Sequence, residues 1–281
     1  IYKLTKMSFN LSKTNIINTL LSLIPISFIA GNLIINLNIL IIIIISLIFY
    51  GKKIFEIELL LLDKLIIGFF LYLVILAIYK NIYIEFHLNS DDDFTVAIKT
   101  ILYCRYLLLY LIIRFLIEKQ IIIFKIFFIT CGVITLLLCI DLIYQYFFGY
   151  DIFGFKSSPR RMSGPFGDEL IAGSYLQRFS IFSFFIFPIF YKIRNEKIYI
   201  VFSSLFFSFL FFSLMIAGNR VPLLFFTIIL LLIFFLEKSL RKIFFVYIIL
   251  AFSIFTFSYN INEEFDDHYQ VFQEEIFKIA K

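Results

Sequence analysis

Residues 33–50 read LIINLNILIIIIISLIFY, an apolar block containing nothing more polar than Asn36, Asn38 and Ser46. A helix that is apolar on every face belongs in a membrane or at the centre of a large core, and the rest of the chain decides between the two. Of the 281 residues, 62% are hydrophobic and 16% charged, and the mean hydropathy is +0.99. A typical soluble domain is about 45–50% apolar and about 25% charged, so too little polar surface exists here to coat a water-soluble globule. Long blocks of Ile, Leu and Phe also exclude intrinsic disorder, a collagen-like fibre and a transmembrane barrel with alternating faces. The predicted fold is all-α, a polytopic bundle of membrane-spanning helices.

A span needs about 20 mostly apolar residues, and nine stretches qualify: 16–31, 33–50, 65–79, 96–117, 121–148, 170–191, 198–217, 221–236 and 243–259. Together they predict a transmembrane domain over 1–259. The third is interrupted on its amino-terminal side by Glu56, Glu58, Asp63 and Lys64, which predicts an interfacial segment over 54–62. With the amino terminus in the cytoplasm, most of the 25 Lys and Arg residues fall on the cytoplasmic side, as the positive-inside rule requires. The net charge of +5 therefore reflects topology rather than nucleic-acid binding. Acidic residues show the opposite bias, with Asp91, Asp92 and Asp93 in one outer loop and Glu263, Glu264, Asp266 and Asp267 near the end. The chain begins at Ile1 rather than at a Met, and residues 260–281 read as the beginning of an external loop of a longer protein.

Phe 41, Tyr 17 and Trp 0, beside abundant Ile, Asn and Lys, match the codon usage of a genome rich in A and T and carry no functional weight. Cys104, Cys131 and Cys139 lie inside apolar blocks without a Cys-x-x-Cys pair and are read as packing residues. His87 and His268 have no His or Cys at metal-ligand spacing, so no metal site is predicted. The absence of GxxxxGK[ST], GxGxxG and GxSxG argues against an ATPase, a dinucleotide enzyme and an ordinary serine hydrolase.

The chemistry concentrates in GYDIFGFKSSPRRMSGPFGDELIAGSYLQRF, residues 149–179, where Gly149, Gly154, Gly164, Gly167 and Gly173 make up half of the chain's 10 glycines. Arg160 and Arg161, in the outer loop 149–169, lie on the side that positive charge normally avoids. Guanidinium groups match phosphate oxygens bidentately and glycine-rich backbone brings amides close to the same ligand, which makes an anion clamp; the alternative is a flexible hairpin contacting lipid headgroups. Asp168 and Glu169 stand at the mouth of the sixth span, placed either to cap free helix amides or to accept a proton from an incoming hydroxyl.

Arg178 lies about 15 Å further along at 1.5 Å per residue, and Arg105 stands at a similar depth in the fourth span. A cation at the centre of a span costs about 2.5–3.5 kcal/mol on insertion scales, so each should snorkel, face the interior or meet an anion. Asp141 and Gln145, one turn apart, share a face and offer such a partner. In the outer turn 217–222, AGNRVP, Gly218, Asn219 and Pro222 suit a tight reversal into a new helix. Arg220 is left over, either as a second clamp cation or as an interfacial anchor.

SPRRMSGPFGDELIAGSYL, an arginine-bearing outer loop leading into SGPF and an acidic helix start, is followed two spans later by the GNR turn. In this it resembles the bacterial O-antigen ligase and polymerase family of membrane glycosyltransferases. The likeness covers most of the chain in span pattern and about thirty residues in motif. It implies a polyprenyl diphosphate-linked glycan donor, a glycan or lipid acceptor, and action at the outer face of the bacterial cytoplasmic membrane. It further implies that Arg160 or Arg161, together with Arg220, grips the donor diphosphate and that no cofactor is needed; Arg178 joins them as a substrate-binding candidate on its own position in the span. Family members place the main catalytic base in a later external loop with a His-Asn segment, a role that does not transfer to His268. Two rival readings stand beside this one: a transporter or flippase for lipid-linked glycan, which Arg105 and Arg178 within the spans favour, and a polytopic scaffold whose arginines contact only lipid.

Overall fold

A computed structural model describes residues 12–88, 95–156, 161–183, 196–236 and 241–261. Among these, the regular structure is helical: α1 Lys13–Ser22, α2 Ile24–Ile29, α3 Asn32–Tyr50, α4 Leu61–Leu88, α5 Thr95–Glu118, α6 Phe124–Phe148, α7 Ala172–Ser183, α8 Glu196–Ile216, α9 Arg220–Leu236 and α10 Arg241–Ile261. Four stretches are long and apolar enough to cross a bilayer, Asn32–Phe55, Leu61–Lys80, Ala97–Glu118 and Phe124–Phe148. Shorter apolar helices occupy Lys13–Ile29, Ile200–Ile216 and Arg220–Leu236. The protein is thus an all-α membrane protein. Of the nine predicted spans, the second, third, fourth and fifth correspond to these four stretches, and the first, seventh and eighth fall on the shorter apolar helices.

The chain divides into two compact units, 1–126 and 127–281. In the first, α3 packs against α1, α2 and α5, and α5 packs against α4. The predicted first span is two helices rather than one. Pro25 in the first turn of α2 has no N–H to donate backwards, so α1 ends at Ser22 and α2 starts afresh. Gly31, at φ +110°, then reverses the chain into α3.

The asparagines of the opening block have specific partners. Asn38 donates to Ser27 Oγ (3.0 Å) and Leu20 O (3.3 Å), joining α3 to the two preceding helices, and Asn36 Oδ1 accepts from Arg105 (2.9 Å). Around them Ile17, Leu21, Ile39, Ile42, Ile112, Phe115 and Leu116 form one buried cluster. A 3-10 turn, Gly51–Phe55, drives Ile54 into the same cluster while Lys52, Lys53 and Phe55 stay outside. The segment predicted as interfacial is anchored by Ile54 and Ile57, while its other residues are exposed.

Two polar clusters close this unit. Asn18 donates to Thr14 O (2.7 Å) and Ile121 O (2.9 Å) and accepts from Ile123 N–H (2.6 Å). Asp63 accepts from the Tyr110 hydroxyl and from Leu60 N–H (2.8 Å), with Arg114 Nε at 3.6 Å. In the second unit α8 packs against α7, α9 and α10, and α7 also packs against α9. Phe182 of α7 lies against Phe127 and Phe128 of α6, with ring centroids 5.0 and 6.0 Å apart. Cys131 and Cys139 are free and fully buried in α6, as packing residues are.

Candidate functional site

The loop that follows α6 is held by three side chains, Asp141, Gln145 and Asp151, all buried. Gly149, at φ +78°, ends the helix with its N–H on Gln145 O (2.9 Å). The chain then folds into a short antiparallel ladder. Tyr150 and Lys156 form a bridge, Asp151 N–H donates to Phe155 O (2.9 Å), and Gly154 N–H donates to Asp151 O (3.0 Å). Asp151 Oδ1 accepts from Phe155 N–H at 2.6 Å, so a side chain closes the turn that its own backbone begins.

Asp141 and Gln145 reach this loop from α6. Asp141 Oδ1 accepts from Ile152 N–H (2.9 Å), Gln145 Nε2 donates to Phe155 O (3.2 Å), and Gln145 Oε1 accepts from Gly164 N–H (2.9 Å). The expectation that these two residues share a face holds. Their partners are loop amides and a carbonyl rather than an arginine, because the loop folds back onto the helix end and leaves backbone groups there that need partners. Arg105 finds Asn36 Oδ1 (2.9 Å) and the Tyr106 hydroxyl (3.2 Å) instead.

One oxygen of each carboxylate, Asp141 Oδ2 and Asp151 Oδ2, is buried without a hydrogen-bond partner. Burying such an oxygen is costly unless the group is neutralised or met by a donor. The two acids thus place unspent acceptor capacity under a loop whose sequence carries Lys156, Arg160 and Arg161.

Of the residues singled out from the sequence, Arg160 lies outside the described residues. Arg161, the first residue of the described stretch 161–183, is exposed beside buried Met162, Ser163 and Gly164. The SGPF segment forms a 3-10 turn, Gly164–Phe166, and Gly167 leaves it at φ +62°. Asp168 and Glu169 are exposed in the turn that follows, and α7 begins only at Ala172. Among the described residues neither side chain caps a helix amide, because the helix starts three residues beyond Glu169 and its first bond is Tyr175 N–H to Ile171 O (3.0 Å). Arg178 is on the exposed side of α7.

Arg220 is half-buried and is the first residue of α9. The turn before it is fixed by Gly218 at φ +67° and by Gly218 N–H to Met215 O (3.0 Å). Asn219 then reaches across to donate to Leu170 O (3.1 Å). Gly173 makes this approach possible, since a Cβ there would lie 2.8 Å from Asn219 Cβ. The GNR turn is therefore seated on the first turn of α7, next to the segment bearing Asp168 and Glu169.

Sequence reasoning missed Asp151 and gave Asn219 only a turn role. The pattern Asp151-x-x-Gly154 is a recognisable turn signal; nothing local marks Asn219 as a partner of Leu170, forty-nine positions away. Compared with protein-family models, with curated proteins and with solved structures, the chain matches none.

Proposed function

We propose that this protein is a membrane glycosyltransferase of the O-antigen ligase or polymerase type, with about nine spans and its amino terminus in the cytoplasm. It transfers a glycan from a polyprenyl diphosphate-linked donor to an acceptor hydroxyl at the outer face of the bacterial cytoplasmic membrane. The observation that carries this reading is the bond from Asn219 to Leu170 O (3.1 Å), which joins the GNR turn to the acidic segment between the arginine-bearing loop and α7. Two motifs far apart in sequence thereby share one end of the second unit.

In the reaction, the acceptor oxygen forms a bond to the anomeric carbon as the bond from that carbon to the diphosphate oxygen breaks. The hydroxyl proton passes to a base, and negative charge grows on the departing diphosphate. Arg161 and Arg220, with Arg160 and Arg178, stabilise that charge in the manner of an oxyanion hole, and we assign Asp168 or Glu169 to proton transfer beside the main base that the family resemblance puts in a later external loop. Guanidinium groups suit this role because they remain charged and bind phosphate oxygens in pairs.

The test is transfer from purified undecaprenyl diphosphate-linked glycan by the full-length protein. Arg220→Ala and Arg161→Ala should each abolish transfer while membrane insertion is unchanged; transfer at the wild-type rate in both rejects the clamp.

A second reading, a flippase for lipid-linked glycan, rests on Arg105 and Arg178 within predicted spans and on the buried hydroxyls of Thr135, Ser180, Ser183 and Ser203, which have no hydrogen-bond partners. Movement of labelled donor across proteoliposomes without glycosidic bond formation would support it over the transferase.

A further inference from the structure

We infer that Gln145, assisted by Asp141, is a positioning residue that sets where Arg161 stands, by latching both arms of the loop to the end of α6. This rests on the transferase reading for its consequence, while the latch itself rests on geometry alone.

Gln145 is completely buried, and its one amide group engages two segments nine residues apart: it donates to Phe155 O (3.2 Å) and accepts from Gly164 N–H (2.9 Å). Asp141, one helical turn earlier, adds a third tie at Ile152 N–H (2.9 Å).

Packing makes the tie tight. Gly164, at φ +56°, sits so close that a Cβ would lie 3.2 Å from both Asp141 Oδ2 and Leu138 Cδ1. Gly167 rests on the Phe155 ring, with 3.4 Å from a would-be Cβ to Cε1. Arg161 is the exposed residue that emerges directly from this seated segment, since Met162, Ser163 and Gly164 are all buried. Three residues of chain span at most about 10 Å, so fixing Gly164 confines Arg161 to a small region at the mouth of the unit. A long cation useful for gripping diphosphate needs such a fixed root, because misplacement by about 1 Å can cost on the order of 100-fold in rate.

Gln145→Met keeps the side-chain length and removes both bonds; Gln145→Glu keeps the acceptor for Gly164 N–H and loses the donor to Phe155 O. Both are made in the full-length protein in nanodiscs. Amide hydrogen exchange is followed at Phe155, Gly164 and α8, undecaprenyl diphosphate binding is titrated, and glycan transfer is measured with kcat and KM resolved. In Gln145→Met we expect faster exchange at Phe155 and Gly164, unchanged exchange in α8, and a fall in kcat/KM on the order of 100-fold, carried by weaker undecaprenyl diphosphate binding. Gln145→Glu should fall between this variant and wild type.

Unchanged loop exchange in Gln145→Met overturns the latch. Loosened loop amides with wild-type undecaprenyl diphosphate binding overturn the positioning role, as does acceleration of exchange throughout α8, which marks Gln145 as a general stability residue. If the wild-type protein itself fails to bind undecaprenyl diphosphate while the loop amides still respond to Gln145→Met, the transferase reading fails and takes the positioning of Arg161 with it, leaving only the latch.

Discussion

Asp63, in the first turn of α4, and Asp141, about two turns before the end of α6, are buried carboxylates in long apolar helices, one in each unit, and they are satisfied differently. Asp63 uses both oxygens, one for the Tyr110 hydroxyl and the other for Leu60 N–H at 2.8 Å with Arg114 Nε at 3.6 Å. Asp141 uses one, for Ile152 N–H, and its second oxygen has no hydrogen-bond partner, as is also true of neighbouring Asp151. In apolar surroundings a charge is tolerated when its acceptor sites are met. A fully met carboxylate that ties the start of α4 to α5 is a structural fastener. Asp141 and Asp151, by contrast, keep unused acceptor capacity beside a loop whose sequence concentrates Lys156, Arg160 and Arg161. Spare polar capacity of this kind in a native fold calls for a functional explanation, and it occurs next to the segment where the transferase reading places its arginines.

Variants can break or sharpen this contrast. The largest effect is expected from Arg220→Ala on the second unit, which should lower glycan transfer by about 100- to 1000-fold with no change in the thermal midpoint; a fall in midpoint that matches the loss of activity would make Arg220 a structural residue too. Next comes Asp63→Ala in the first unit. It strands the Tyr110 hydroxyl and Leu60 N–H and leaves Arg114 with Glu118 alone (3.4 Å), and should depress the thermal midpoint by about 10 °C, read by fluorescence unfolding in detergent. A midpoint within a degree of wild type would remove the fastener interpretation.

Gly173→Ala probes the seat of the GNR turn. Its methyl group would press on Asn219, 2.8 Å away, and should destabilise by about 1–3 kcal/mol while loosening the Asn219 bond to Leu170. Denaturant titration measures the first, and transfer activity should fall with the second. The smallest effect is expected from Asp141→Asn, which keeps an acceptor for Ile152 N–H and removes an unmet charge, so its stability should lie within about 1 kcal/mol of wild type. A strongly destabilised Asp141→Asn would show that the second carboxylate oxygen is as firmly engaged as those of Asp63, and the contrast between the units would vanish.

The legible part of the fold is concentrated where hydropathy runs are long and plain. The spans read at 33–50, 96–117 and 221–236 differ from α3, α5 and α9 by a residue or two, because membrane helices are announced by local composition. The apolar stretch Lys13–Ile29 of the first predicted span is interrupted near Pro25, a local signal with α1 and α2 on either side. For the site, the pairing of Asp141 with Gln145 on one helix face was legible from spacing, yet their partners were not. Bonds to Ile152, Phe155 and Gly164 exist only once the loop has folded back. Asp168 and Glu169 read as caps because they precede an apolar run, whereas α7 begins at Ala172, beyond the Gly167 turn.

The sequence by itself determined that this chain is a helical membrane protein and that its unusual cations lie in the loop after α6 and at the start of α9, since both follow from which residues adjoin one another. Only the tertiary structure decided that Gln145 ties two arms of that loop and that Asn219 seats its turn on Leu170. The reason is physical: hydropathy adds up along the chain, whereas a buried hydrogen bond is fixed by the meeting of groups that the backbone keeps far apart until it folds.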